Sequence, residues 1–447
     1  MGTILLLINS IVLFIDSNIY ILISTKMLDI PLIWMLLLNI LLATMFVLMN
    51  IFPSILTRKL YDTKLVRIRN GYRLLILFLI SAFMSFILYL FLIIKYQVDI
   101  KLLLINLLLL VPLLAFVFWN GMIRVYLFSR QLGVRYRLIG FILGLIPIAH
   151  IIMLIKIIRV CQKEVKFENK KYKLNLDRKN KEVCKTKYPI LLVHGIFFRD
   201  FEKVNYWGRI PEELIKNGAT IYYGNHSSSL AVEDSAKELS DRIKNIVKET
   251  GCKKVNVIAH SKGGLDMRYA ISNLGMDKYV CSLSMINTPN HGCIFADYLL
   301  DKSSDKLKKK VSGTYNFALK KMGDTNPDFI AGVSDLTSTG VEKLNKKMKH
   351  NDNVYYRAYG SILKKSSSGR FPLNLTNKFV HSYDGKNDGL VGIDSFPYNG
   401  ECTVIESTGK RGISHGDIID LNRENFDGFD VREFYVSLVN DLKNKGF

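Results

Sequence analysis

The chain has 447 residues, a formal net charge of +22 and a hydrophobic content of 49%. That length exceeds one ordinary domain and suits two regions. The basic surplus lies mainly in loops between apolar runs and in one stretch after them, which favours anionic lipid over nucleic acid as the charged partner. The six cysteines form no CxxC pair, so zinc-finger and thioredoxin-like readings have no footing.

Five apolar runs come first, at about 3–24, 30–56, 74–94, 102–123 and 138–158. Each is near the roughly 20 residues that a helix needs to cross a bilayer core. A soluble helical bundle would need polar faces for water, and these runs have almost none. The first run lacks a basic start and is followed by further runs, so it is not expected to be a cleaved signal peptide. The expectation is a multi-pass cell-membrane region at 1–160, followed by a basic linker at 161–187. Asp16, within the first run, is expected to face other helices or an interface.

The side of the membrane stays open at this stage. The loops at 57–73 and 124–137 carry ten basic residues against three (Lys26, Lys95, Lys101) in the opposite loops. That asymmetry places the N-terminus in the cytoplasm. Five full spans then send the following region outside, where eight more basic residues between Arg159 and Lys179 cancel the preference. A last run bent at Pro147 into a re-entrant hairpin gives eighteen against three instead.

From Tyr188 onward short β runs alternate with helix-length segments, the pattern of a mostly parallel α/β sheet. Strands are expected at 189–195, 219–225, 255–261, 280–287, 353–361 and 402–407. Leu239, Ile243, Ile246 and Val247 give one apolar helical face. In such sheets function gathers where strands end. The strand ends here carry His194-Gly195-Ile196, then Ser261, then Thr288-Pro289-Asn290-His291-Gly292. Later come Asn387-Asp388-Gly389 and Ser414-His415-Gly416.

The stretch Ala259-His260-Ser261-Lys262-Gly263 fits a tight strand-to-helix turn that lifts a serine hydroxyl off the sheet. An ordinary turn with a capping Ser is the alternative. A serine nucleophile needs a histidine to take its proton and a carboxylate to orient that histidine. His415 lies after the last strand, and Asp388 lies between Ser261 and His415, the Ser–acid–His order of one hydrolase fold. Asp384, four residues earlier, competes with Asp388. The backbone N–H groups of Ile196 and Lys262 are the candidate oxyanion donors. His260 and His291 are expected to shape the turn and a loop. The span 293–352 is an insertion expected to form a mobile lid.

Residues 188–447 resemble the α/β-hydrolase-fold bacterial triacylglycerol lipases of the Pseudomonas and Burkholderia type. YPILLVHGIFF, KVNVIAHSKGGLDMRYA, INTPNHG, NDGLVG and SHGDIIDLN carry the resemblance, in that order. It implies an α/β-hydrolase fold with Ser261 as nucleophile, Asp388 as acid and His415 as base. It also implies a structural calcium near the His loop, with Asp417 as a ligand, although no Asp or Glu lies between Val354 and Tyr383 to supply its upstream partner. The chemistry itself needs no cofactor. The expected function is membrane-anchored hydrolysis of lipid carboxylic esters through an acyl-enzyme. The alternatives are a phospholipase, an acyltransferase on membrane lipids, and a catalytically silent binding module.

Overall fold

The computed structural model describes residues 2–447 except Leu56, Arg58, Leu145, 197–204, 302–311, 318–319 and 321–326. The chain divides into two compact units, Met1–Leu176 and Asp177–Phe447.

The first unit is helical: α1 (Gly2–Ser24), α2 (Leu32–Ile51), α3 (Thr63–Tyr96), α4 (Ile100–Phe128), α5 (Gly133–Leu143) and α6 (Pro147–Arg178), the last reaching the start of the second unit. Asp62 and Asp99 cap α3 and α4 by accepting from the N–H groups of Lys64 and Lys101, which satisfies donors that a helix start leaves open. Helices α3 and α4 touch backbone to backbone at Gly71 and Gly121. A Cβ on Gly71 would meet Val125 Cγ1 at 2.8 Å and the Gly121 carbonyl at 3.0 Å. Small residues at such a crossing are how helices pack when water does not drive them together. Four helices, α1 to α4, are long and apolar enough to cross a membrane. The fifth apolar run is not one helix, since α5 ends at Leu143 and α6 begins at Pro147. The cause is local: a proline has no N–H to give, and its ring collides with the carbonyl four residues back, that of Leu143.

The second unit is built on β1 (Ile190–Val193), α7 (Ile210–Lys216), β2 (Ile221–Tyr223), α8 (Val232–Thr250), β3 (Val255–His260), α9 (Lys262–Asn273) and β4 (Val280–Ile286). Then follow α10 (Ile294–Asp301), α11 (Phe329–Ser334), α12 (Ser338–Lys347), β5 (Tyr355–Ser361), α13 (Leu373–Asp384), β6 (Thr403–Ile405) and α14 (Val431–Asn444). All six expected strands form, shorter by one to a few residues in most cases. They make one sheet in the order β2-β1-β3-β4-β5-β6, every pairing parallel.

Strand alternation sorts the core into two layers. Ile190, Leu192 and Ile258 face α7 and α14, where Leu214, Tyr435 and Val439 are fully buried. Leu191, Val193, Val257 and Ala259 face α8 and α9. On α8, Leu239, Ile243 and Ile246 are fully buried and Val247 is half-buried. With helices on both faces of a parallel sheet, this is the α/β-hydrolase architecture. The strand order reverses between β1 and β3, and a parallel sheet opens a crevice beyond the strand ends at such a point.

Candidate active site

Ser261 stands alone between β3 and α9 with φ +56° and ψ −129°, a conformation that residues with a Cβ rarely adopt. The neighbours that hold it there are small for a geometric reason. A Cβ on Gly263 would lie 2.5 Å from the His194 carbonyl and 2.9 Å from Val193 Cγ1, so only glycine lets α9 start hard against the end of β1. The Ser261 N–H still bonds to the Ile286 carbonyl at 2.9 Å. The strand therefore runs up to the turn, and the hydroxyl leaves the sheet at its top.

The acid and the histidine arrive on two later loops. His415 Nδ1 lies 2.6 Å from Asp388 Oδ2, and because an ionised carboxylate only accepts, Nδ1 carries the hydrogen and Nε2 is left with its lone pair. Asp388 is fully buried and has further donors. Its Oδ1 accepts from the N–H groups of Leu390 at 2.9 Å and Val391 at 2.8 Å. Its Oδ2 also accepts from Asn287 Nδ2 at 2.6 Å. The His415 N–H closes the pair by donating to the Asp388 carbonyl at 2.8 Å. Asp388, and not Asp384, is the carboxylate that meets His415.

Asn287 escaped the sequence reading. It sits just past β4 in the left-handed region at φ +48° and gives its amide to Ser361 Oγ at 2.7 Å as well as to Asp388. The only signal was an asparagine at a strand end, where that backbone shape is tolerated. Arg209 was missed too. Its guanidinium grips the Asp420 carboxylate through Nε at 2.8 Å and a terminal nitrogen at 2.7 Å. That tie fixes the start of α7 to the loop bearing His415, and no local pattern connects residues so far apart.

Behind the turn lies a buried polar cluster. The Lys262 side chain points away from the crevice and gives its ammonium to Asp266 Oδ1 at 2.7 Å and Ser235 Oγ at 2.9 Å. Burial holds the Asp266 carboxyl up at about 6, although Lys262 pulls it the other way. His226 approaches the same carboxylate at 3.6 Å and stacks on His194 with ring centres 4.0 Å apart. The Lys262 N–H is the first of α9, one of those that a helix start leaves without a partner inside the helix. Ile196, following β1, is buried and lines the same cavity as Ser261. His260 packs against His415, ring centres 4.5 Å apart. Tyr206 Oη accepts the Gly195 N–H at 3.1 Å and is hydrogen-bonded to His260 Nδ1 at 2.7 Å. Burial, and then the nearby His415, hold His260 well below the usual imidazole range. His260 thus stands behind His415, packed on its ring and hydrogen-bonded to Tyr206.

Ser261 and His415 open onto a cavity of about 410 Å³ whose other walls include Phe295, Leu299, Tyr315, Phe329, Leu373 and Leu390. Several of these come from the insertion expected to be a lid, of which 302–311, 318–319 and 321–326 lie outside the described residues. Asp417 does not fit the calcium role. Its Oδ1 takes Arg411 at 2.6 Å and its Oδ2 the Ser414 N–H at 3.0 Å. A guanidinium thus occupies the place a cation would need, and no group of three metal-ligating side chains exists among the described residues.

A serine on a strained turn, a histidine–carboxylate pair and an apolar cavity on a parallel sheet define this unit as an α/β-hydrolase with a candidate acyl-transfer site. The known proteins it is similar to include lipases. Residues 187–296 match the family model described as lipase (class 2). A triacylglycerol lipase of Burkholderia plantarii is 30% identical over 177 residues, 36% of this chain and 48% of that one. A triacylglycerol lipase of Vibrio cholerae is 31% identical over 170 residues, 36% of this chain and 54% of that one. Among solved structures, a Staphylococcus hyicus lipase is 20% identical with a TM-score of 0.47, covering 58% of this chain and 97% of that one. The chain spans about half the length of the curated bacterial relatives named here.

Proposed function

We propose that the chain is a membrane-embedded serine hydrolase that cleaves carboxylic esters of lipids. The observation that carries this reading is the convergence of Ser261, on its strained turn, with the Asp388-held His415 at one apolar cavity.

In the first step His415 Nε2 takes the Ser261 hydroxyl proton while Oγ attacks the ester carbonyl carbon. The carbonyl π bond opens, and its oxygen gains a negative charge for which the N–H groups of Ile196 and Lys262 are the proposed donors. Collapse breaks the bond to the alkoxy oxygen, which leaves with the proton held on His415 and yields a free alcohol. An acyl group remains on Ser261. Water then gives a proton to Nε2 as its oxygen attacks the acyl carbon; the acyl–Oγ bond breaks, Oγ takes the proton back from Nε2, and the acid leaves with the serine restored. Asp388 steadies the imidazolium in both steps. The apolar walls favour an acyl chain and exclude all but the reacting water.

The substrate class follows from the cavity lining and from the four helices suited to a bilayer. A chain held in the membrane meets lipid esters without needing to dissolve them. With four spans, the eighteen basic residues of the loops and the following stretch share one side against three on the other. Positive charge is retained in the cytoplasm, and the second unit belongs to that side.

The test is hydrolysis of p-nitrophenyl butyrate and palmitate by the detergent-purified chain beside Ser261→Ala. The variant is expected to lose at least about 10³-fold in kcat on both esters. Equal rates from variant and parent would end the hydrolase reading.

A further inference from the structure

Helix α13 divides two cavities. Leu373 and Thr376 face the apolar cavity of Ser261, whereas Asn377, Lys378 and His381 line a second pocket of about 570 Å³. Around this second pocket stand four lysines, Lys364, Lys365, Lys378 and Lys386, against one carboxylate, Glu406. Lys364 is committed to the Ser407 carbonyl at 2.7 Å. Lys365, Lys378 and Lys386 are exposed, and among the described residues no carboxylate lies within ion-pair distance of them. Three ammonium groups gathered on one concavity repel one another, and an anion relieves that repulsion.

The start of the same helix and the turn before it present a second feature. Phe371 is 80% exposed and Leu375 is 62% exposed. Leu375 and Lys378 are three residues apart and so share a face. Phe371 also borders the catalytic cavity. A free phosphate would need cations alone. Cations flanked by protruding apolar side chains match a lipid surface, with phosphates at headgroup depth and hydrocarbon just beneath.

We propose that the pocket behind α13 binds the phosphate of an anionic lipid headgroup and thereby seats Phe371 and Leu375 in a lipid surface beside the mouth of the catalytic cavity. The ligand is a phosphodiester lipid, and the site is separate from Ser261. Its link to catalysis rests on the hydrolase reading above; its existence does not.

The experiment is lysine footprinting by amine acetylation and mass spectrometry. It uses the full chain carrying Ser261→Ala, in nanodiscs of phosphatidylcholine alone or with phosphatidylglycerol. Since nothing is hydrolysed, the result is independent of whether Ser261 is a nucleophile. Each lysine at an anionic surface contributes a factor of about five in binding. Labelling of Lys365, Lys378 and Lys386 is therefore expected to slow about fivefold or more in phosphatidylglycerol discs, with exposed Lys248 on α8 unaffected. Raising the salt to 0.5 M is expected to restore labelling. Unchanged labelling in both discs overturns the proposal. Equal protection by inorganic phosphate in phosphatidylcholine discs overturns the lipid assignment in favour of a free anion. Lys378→Glu with Lys386→Glu is expected to abolish the lipid-dependent protection of Lys365, and persistence of that protection would place the lipid elsewhere.

Discussion

Both units bury Leu, Ile and Val, but they differ in what they turn outward. In the first, large apolar side chains point outward, with Ile94 76% and Leu108 77% exposed, while Asn18 and Asn106 are fully buried. Asn106 gives its amide to the Asn18 carbonyl oxygen at 3.2 Å and to Tyr89 Oη at 2.7 Å, and Asn18 gives its own to Ser85 Oγ at 2.7 Å. In the second unit the strands bury Ile, Leu and Val on both faces, and among the charged side chains inside, Lys262 is paired with Asp266 and Arg209 with Asp420. Outward apolar groups are stable only in an apolar solvent, and amide links between helices are how neighbours recognise each other there. The outward apolar groups of the first unit suit an apolar solvent, in keeping with four helices long and apolar enough to cross a membrane, the last ending at Phe128.

That contrast sets the scale of each perturbation. The largest effect is expected in catalysis. Asp388→Asn leaves the fold of the second unit in place but frees His415 to take the wrong tautomer, so kcat on p-nitrophenyl butyrate is expected to fall about 10⁴-fold. Next is Lys262→Met, which keeps the backbone N–H but strands the Asp266 carboxylate. Removing one partner of a buried pair costs about 3–5 kcal/mol, read as faster hydrogen exchange in β3 and β4 with the helices of the first unit unchanged. Acceleration in both units alike would break the comparison.

A pH dependence follows from the same carboxyl. The folded-state value of Asp266, about 6, lies above its ordinary 3.8, so the folded state holds the proton more tightly than the unfolded chain. The stability it contributes is complete below about pH 4 and is lost as pH rises through 6, a change on the order of 1–3 kcal/mol. Exchange protection of β3 is expected to decline across that window in the parent and to stay flat in Asp266→Asn. The smallest effect belongs to the first unit. Asn106→Leu is expected to cost about 0.6 kcal/mol, at most about 2, because polar groups in a membrane find other partners when one is removed. Thermal denaturation in nanodiscs would measure it, and a loss as large as that of Lys262→Met would mean that the first unit packs like a soluble core.

Most of the second unit was legible because its signals are local. Each strand carries its own run of β-favouring residues, and Ser261 announces itself through Ala259 and Gly263. Asp388 and His415 were readable from chain order. Asn287 and Arg209 were not, since each acts on a residue about one to two hundred positions away and neither stands in a motif of its own. Lys262 and Asp266 have the spacing of a helical ion pair, yet spacing does not disclose that the pair is inward. In the first unit hydropathy gave the number of apolar runs, but Pro147 decided that the fifth would be two helices.

The site gathers its parts from Ile196 to His415, and the bonds around Asp388 tie the loop after β4, the loop after β5 and the segment before α14 to one another. Contacts this distant in sequence form late, since long loops have to close before they are rewarded. On the proposed function, reactivity of Ser261 reports on completed folding: a fluorophosphonate added during refolding is expected to label only chains in which the His415 loop has docked on Asp388, and the labelled fraction times that step.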